Sequence, residues 1–330
     1  MRISLIVPVY NRPQEVKELL ESCLEQESLP HDIILVEDGS EEDARAVVSA
    51  YEDRLPLKYF YKSNSGPGLS RNYGAERASG DYFVFLDSDV ILPPDYLKVV
   101  RQDLEQYRPG AFGGPDRAHP DFSPIQKAIN QAMTSFFTTG GIRGGKTRME
   151  KFHPRSFNMG ISREVFEQTK GFSSLRFGED IDLSIRIDRA GFKMRLFPEA
   201  YVYHKRRSTF RQFFKQIFNS GIARINLYKR HPGTLKAVHF FPAVFLLGFL
   251  LALVLGLSGY PQLLGLYAFY LGAIVVEAGL QNFSLKVALL SGLAGFIQLS
   301  AYGSGFLLSF YRRIILGKPE FARFTRNFYK

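Results

Sequence analysis

Over the first ninety residues, short apolar runs alternate with stretches of helical spacing. Residues 3–7, 32–36, 57–61 and 82–86 are rich in Ile, Leu, Val, Phe and Tyr. Such runs predict strands buried on both faces. Between them, Val16, Leu19, Leu20 and Leu24 recur at helical spacing within residues 14–27. Residues 41–51 and 69–78 predict two further helices. The alternation predicts an α/β fold with a doubly wound, mainly parallel sheet. Farther on, residues 163–169 and 178–190 read as helices. Residues 208–228 place Phe210, Phe213, Phe214, Ile217, Phe218, Ile222 and Ile225 on one helical face, with Arg211, Lys215 and Arg224 elsewhere. That pattern predicts an amphipathic helix lying in a membrane interface; a helix covering the sheet is the competing reading. Beyond Lys236 charge becomes sparse. Residues 237–257, 262–280 and 287–310 are each long enough to cross a bilayer, which takes ~20 residues. Glu277 lies inside the second.

The pattern divides the chain into an α/β domain over residues 1–207, an amphipathic helix and linker over 208–236, and a membrane region of about three segments with a basic tail over 237–330. The chain carries 42 Lys and Arg against 32 Asp and Glu, a net charge of +10. This balance suits nucleic acid, an anionic membrane surface or phosphorylated substrates. Its position beside the apolar segments favours the membrane, and no nucleic-acid recognition motif accompanies it. The single cysteine, Cys23, permits no intrachain disulfide and no cysteine metal cluster, and reads as a helix core residue. The N-terminus, MRISLIVPVYN, is too short and too strand-like for a signal peptide. The α/β domain is therefore expected on the cytoplasmic face of the inner membrane. One conflict stands. Basic residues flank both ends of the apolar region: residues 205–236 before it, then Arg312, Arg313, Lys318, Arg323, Arg326 and Lys330 after it. The positive-inside rule then requires an even number of crossings, against a plain count of three.

Three loops should meet at the carboxyl edge of the sheet, where open α/β sheets bind ligands: residues 8–11, 37–40 and 87–89. Asp87-Ser88-Asp89 ends the most apolar strand. Two carboxylates there suit Mg²⁺ or Mn²⁺, hard cations that also hold diphosphate oxygens; alternatively they turn the chain before Pro93-Pro94. Asp38 can accept from a base N–H or a ribose hydroxyl, or shape a turn. Arg71 follows a glycine-rich loop, in the first turn of a helix, where a phosphate could sit. Neither a P-loop nor a G-x-G-x-x-G motif occurs there. Residues 140–155 are rich in Gly and cations and read as a mobile loop that clamps phosphates, binds lipid headgroups or is simply solvated. Glu179, Asp180 and Asp182 open a helix, where carboxylates are electrostatically favoured.

Taken in order, VPVYNRP, VEDGS, GLSRNYGAERASGDYFVFLDSD and GEDIDLSIRI resemble the successive blocks of inverting family 2 glycosyltransferases with a GT-A fold, over residues 3–204. The resemblance implies donor binding by Pro8, Tyr10, Asp38, Arg71, Asp87 and Asp89, with Asp38 at the base and Arg71 near the diphosphate. FPEAYVYH, residues 197–204, resembles the family's strand ending in a metal-binding His, which implies a divalent metal, Mn²⁺ or Mg²⁺, on Asp89 and His204. One general base must take the acceptor hydroxyl proton; the resemblance points to Asp180, with Glu179 as the alternative. It implies a nucleotide-sugar donor, UDP-linked, and a lipid-linked or membrane-associated acceptor. The QxxRW signature of processive synthases cannot occur, because Trp is absent. The rivals are a polyprenyl-phosphate sugar synthase and a non-catalytic membrane scaffold.

Overall fold

The computed structural model describes residues 1–140 and 152–321. Most of the glycine-rich loop expected at 140–155, and the distal basic tail with Arg323, Arg326 and Lys330, lie outside the described residues. In chain order the elements are β1 (Ile3–Val9), α1 (Pro13–Leu24), β2 (Asp32–Asp38), α2 (Arg45–Ser49), β3 (Leu57–Lys62), α3 (Pro67–Ala75), β4 (Tyr82–Leu86), β5 (Val90–Ile91) and α4 (Tyr96–Tyr107). There follow β6 (Ala111–Gly113), β7 (Asp116–Arg117), α5 (Pro124–Thr134), α6 (Phe136–Thr139), β8 (Asn158–Ser162), α7 (Arg163–Thr169), α8 (Glu179–Arg189), β9 (Met194–Leu196) and β10 (Val202–His204). The chain ends in α9 (Phe210–Arg230), α10 (Phe241–Leu257), α11 (Gln262–Asn282) and α12 (Leu285–Phe310). They form two compact units, one of residues 1–117 and 152–204, the other of residues 118–140 and 205–321.

The first unit is built on a seven-stranded sheet of order β3-β2-β1-β4-β8-β6-β9. β1 to β4 are parallel, and β8 runs antiparallel between β4 and β6. Side chains alternate between two buried layers, as the period of a strand demands. Leu5, Val7, Ile33, Leu35 and Val84 face α1 and α4 through Leu19, Leu20, Leu97 and Val100. Ile6, Ile34, Val36, Phe83 and Phe85 face the other way, in a layer with Ala75, Val165, Leu183 and Ile187 from α3, α7 and α8. Cys23 lies in the first layer, where burial pushes its thiol pKa up to about 12. α3 approaches the sheet closely: a Cβ on Gly74 would sit 2.7 Å from the Ile6 methyl. Strand order reverses between β1 and β4, which opens the crevice at their carboxyl ends.

A second, three-stranded sheet of order β5-β10-β7 sits beside that crevice. These strands are too short to show a period in the sequence. Their register pairs His204 with Val90 and Val202 with Asp116. Residues 114–115 pack so closely on the chain before β10 that a Cβ on Gly114 would lie 1.7 Å from the Ala200 carbonyl oxygen. Buried Asn158 fastens the same place, donating to that oxygen at 2.8 Å while it accepts from the Tyr96 hydroxyl at 2.7 Å.

The second unit is helical. Among the described residues it contains three helical stretches long and apolar enough to cross a membrane: Ala237–Leu257, Gln262–Asn282 and Leu285–Ile315. Ala128, Ile129, Ala132 and Met133 of α5 join Phe213 and Ile217 of α9 and Ala294 and Ala301 of α12 in one apolar core. α5 starts on a capping box between Ser123 and Gln126.

Candidate active site

Asp87, Asp89 and His204 converge at the β1–β4 crevice. One ligand atom from each falls within 4.8 Å of the others. The cause is the register of the small sheet: pairing His204 with Val90 sets the imidazole beside Asp89, one residue earlier. His204 Nε2 lies 3.1 Å from Asp89 Oδ1 and 3.9 Å from Asp87 Oδ2. On its other side Nδ1 faces Asp116 Oδ2 at 3.9 Å, and the ring stacks on Phe157 at 4.9 Å. A carboxylate behind an imidazole orients it and raises its basicity as a metal ligand. Two carboxylate oxygens and one imidazole nitrogen fit Mn²⁺, and Mg²⁺ somewhat less well.

The charges here are strongly interdependent. Burial works against a charged His204, but Asp89, then Asp116 and Asp87, push its pKa up to about 9. Burial likewise works against an ionised Asp89. His204 and then Arg12, whose guanidinium pairs with Asp89, outweigh it and hold the carboxyl well below the usual range. Arg12 sits at the end of the β1 loop, directly before α1. The main chain of Asn11 donates to Ser40 Oγ at 2.7 Å, and Ser40 in turn donates to buried Glu37.

Arg71 joins this group to the next. Its side chain is 3% exposed, and its two terminal nitrogens reach Asp87 Oδ1 at 2.5 Å and Glu179 Oε1 at 3.1 Å. The guanidinium also stands over the Phe172 ring at 5.4 Å. Asp180, beside Glu179, receives Arg155 Nη1 at 3.4 Å on Oδ2 and the Ile181 amide at 2.8 Å on Oδ1. Burial, and next the negative charge of Asp180, raise the Glu179 pKa to about 7 against the pull of Arg71. Asp182 is buried and paired with Arg186 at 2.9 Å, a structural role within α8.

Asp38 is 1% exposed, and both its oxygens are engaged within the protein. The Ser65 amide donates to Oδ1 at 2.9 Å and the Gly66 amide to Oδ2 at 2.8 Å, while Lys62 adds an ion pair. Gly66, at φ +93°, precedes the first turn of α3, so Asp38 shapes the loop that leads to Arg71. Pro8 lies within β1 near its carboxyl end, and Tyr10 directly follows the strand; both are half-buried.

Of the residues singled out from sequence, Asp87, Asp89, His204, Arg71, Glu179 and Asp180 form one connected cluster. Asp38 touches it through the loop before α3. Four participants were missed: Arg12, Asp116, Lys62 and Phe157. Arg12 stands in the block VPVYNRP, but a lone Arg or Asp carries no spacing signal of its own.

The model of a family described as Glycosyl transferase family 2 matches residues 4–169. An O-antigen chain rhamnosyltransferase of Salmonella typhimurium is 26% identical over 230 residues, 67% of this chain and 72% of that protein. A validoxylamine A glucosyltransferase of Streptomyces hygroscopicus is 35% identical over 102 residues, covering 30% of this chain and 22% of its own length. An uncharacterized glycosyltransferase of Rickettsia felis is 35% identical over 105 residues; the match covers 32% of this chain and only 17% of that protein. Among solved structures, a mannosyltransferase from Pyrobaculum calidifontis, in complex with GDP-Man and Mn²⁺, superposes with a TM-score of 0.59 at 17% identity, covering 94% of this chain and 87% of that one.

Proposed function

This chain belongs to glycosyl transferase family 2, and on that premise we propose a membrane-bound, inverting enzyme that moves a sugar from a nucleotide-sugar to a hydroxyl of a lipid-linked or membrane-associated saccharide. The product serves cell-surface glycan synthesis, and the α/β domain works on the cytoplasmic side. The observation that carries the reading is the Asp87–Asp89–His204 donor set with the buried Arg71 beside it. Asp87, Asp89 and His204 would hold a divalent cation, Mn²⁺ or Mg²⁺, which would supply positive charge for the leaving nucleoside diphosphate. Arg71 faces the same phosphates, and the loop shaped by Asp38 receives the base, uracil in our reading. Pro8 and Tyr10 border the donor at the end of β1.

Asp180 takes the proton of the acceptor hydroxyl as its oxygen attacks the anomeric carbon. Its side chain is the more accessible of the neighbouring pair, at 14% exposure against 9% for Glu179. Glu179 is committed to Arg71 and serves to position it. With no protein acid needed at the leaving group, a single displacement turns an α-linked donor into a β-linked product. A panel of nucleotide-sugars with Mn²⁺ tests the reading. Transfer is expected from one class of donor, lost in Asp89→Ala and reduced at least 100-fold in Asp180→Asn. Unchanged turnover in both variants would defeat it.

A second reading, transfer to a polyprenyl phosphate, is favoured by Arg155 beside Asp180, since a guanidinium suits an anionic acceptor. A phosphate oxygen needs no strong base. Full activity of Asp180→Asn with polyprenyl phosphate would select this reading over the first.

A further inference from the structure

We propose that the apolar region crosses the bilayer twice and not three times. α10 and α11 form a hairpin through the membrane, while α12 stays at its surface with the amphipathic helix α9. The three helices differ in what covers them. Only 17% of the most apolar stretch of α10 and 11% of that of α11 is buried within the protein, against 50% for α12. Val244, Leu250, Val254, Leu266, Phe269 and Val276 of the first two are exposed, which is the surface that lipid tails cover.

Much of α12 is covered by α9 and α5, helices that do not belong in hydrocarbon; the rest of its cover comes from α10 and α11, as where a Cβ on Gly303 would lie 2.4 Å from the Pro242 carbonyl oxygen. A Cβ on Gly305 would lie 2.0 Å from the Phe218 carbonyl oxygen of α9, and one on Gly221 would lie 2.3 Å from that of Tyr302. The two backbones therefore meet. Ser309 reaches the Ile222 carbonyl at 3.4 Å, and Arg313 pairs with Asn226. α9 thus follows α12 closely from Phe218 to Asn226, and Phe213 and Ile217 continue the shared core. If α12 crossed the membrane, α9 would travel with it. Arg211, Lys215 and Arg224 would then enter a medium that strongly disfavours charge. A helix pair lying in the interface avoids this, and α12 shows the matching stripe of exposed Leu285, Leu289 and Leu293 along one side.

Two further observations agree. Glu277 and Asn282, near the end of α11, meet Ser135 and Gln131 around α5 and α6, so this polar end is met by protein. Two crossings also place Lys229, Arg230 and Lys236 on the same side as Arg312, Arg313 and Lys318, as the positive-inside rule asks. At 21 residues each, the two crossing stretches measure ~31 Å, close to the ~30 Å hydrocarbon thickness.

The native Cys23 is fully buried, so introduced cysteines report alone. Lys229→Cys, Ser258→Cys and Lys318→Cys, each in the full chain, are labelled with a membrane-impermeant maleimide in inside-out and right-side-out vesicles. Positions 229 and 318 are expected to react from one face and position 258 from the other. If 318 reacts from the face of 258 and opposite 229, three crossings hold and the proposal falls. If all three react from one face, the hairpin does not cross and it falls as well. Protease-recognition sequences inserted at Gly259 and after Gly317 give the same readout without cysteine chemistry. Cleavage from opposite faces supports the proposal, and cleavage from a shared face overturns it.

Discussion

Replacing Glu179 by Gln probes the charge balance around Arg71 directly. An unperturbed glutamate loses its proton near pH ~4.3, whereas burial and the neighbouring Asp180 let Glu179 keep its proton up to about pH 7 in the folded chain. Between those values the folded state binds the extra proton, so stability must fall as pH rises. Each pH unit carries ~1.4 kcal/mol, which makes a decline of ~3–4 kcal/mol across the window from this one group. Glu179→Gln keeps an oxygen that accepts from Arg71 and removes the titration, so that component of the slope should vanish. The lost charge opposite Arg71 shifts the whole curve, so the slope and not the absolute value is the readout. Denaturant unfolding of the full chain in detergent, followed by circular dichroism from pH 4.5 to 7.5, measures it for both proteins. Parallel curves would refute the argument, because they would mean that Glu179 titrates alike in both states. The same variant is expected to retain a larger share of transfer activity than Asp180→Asn, as a positioning residue should.

Asp116→Asn removes the carboxylate behind His204 and is expected to weaken Mn²⁺ binding by ~10–100-fold, measured by electron paramagnetic resonance titration; unchanged affinity would deny Asp116 its orienting role. Asp32 shows the opposite linkage to Glu179. Burial works against its charge, but bonds from Ser4, Ser79 and Lys58 outweigh it and hold its pKa below the usual value. The stability Asp32 contributes is present above pH ~4 and lost as pH falls through its folded-state pKa, so the deficit of Asp32→Asn, ~1–3 kcal/mol at pH 7, should shrink towards pH 3 in the same unfolding assay. Gly305→Ala gains ~1 kcal/mol of helix propensity but drives a Cβ to 2.0 Å from a backbone oxygen, and the clash, at ~1–3 kcal/mol, should win as a lower melting temperature.

The parallel half of the fold was legible because β1, β2 and β4 are apolar on both faces, and the intervening helices show their spacing. The aspartates at the strand ends were legible for the same reason: once a strand is placed, its carboxyl end is placed too. Arg12 and Asp116 were not, because their roles depend on contacts across the fold. Asp116 reaches His204 only through the two-residue strand β7, which leaves no periodic trace. α2 is shorter than expected, at Arg45–Ser49 against residues 41–51; Glu37, buried in β2, accepts from the Ala44 amide at 3.0 Å and holds the preceding turn out of the helix. Composition suggested three equivalent apolar spans, since it registers what a helix is made of and not what lies against it. The glycines of α12 were the available sign of close neighbours.

The register of the three short strands β5, β10 and β7 has an evolutionary consequence. Asp89 and His204 stand 115 positions apart along the chain, yet a few main-chain bonds clasp them together. Residues 118–140 belong to the other compact unit, and the chain is back in this one by Phe152, so those residues can be exchanged, lengthened or rebuilt without loosening that clasp. Variation could in this way accumulate in one stretch of the chain while the spacing of the Asp89–His204 pair is inherited unaltered.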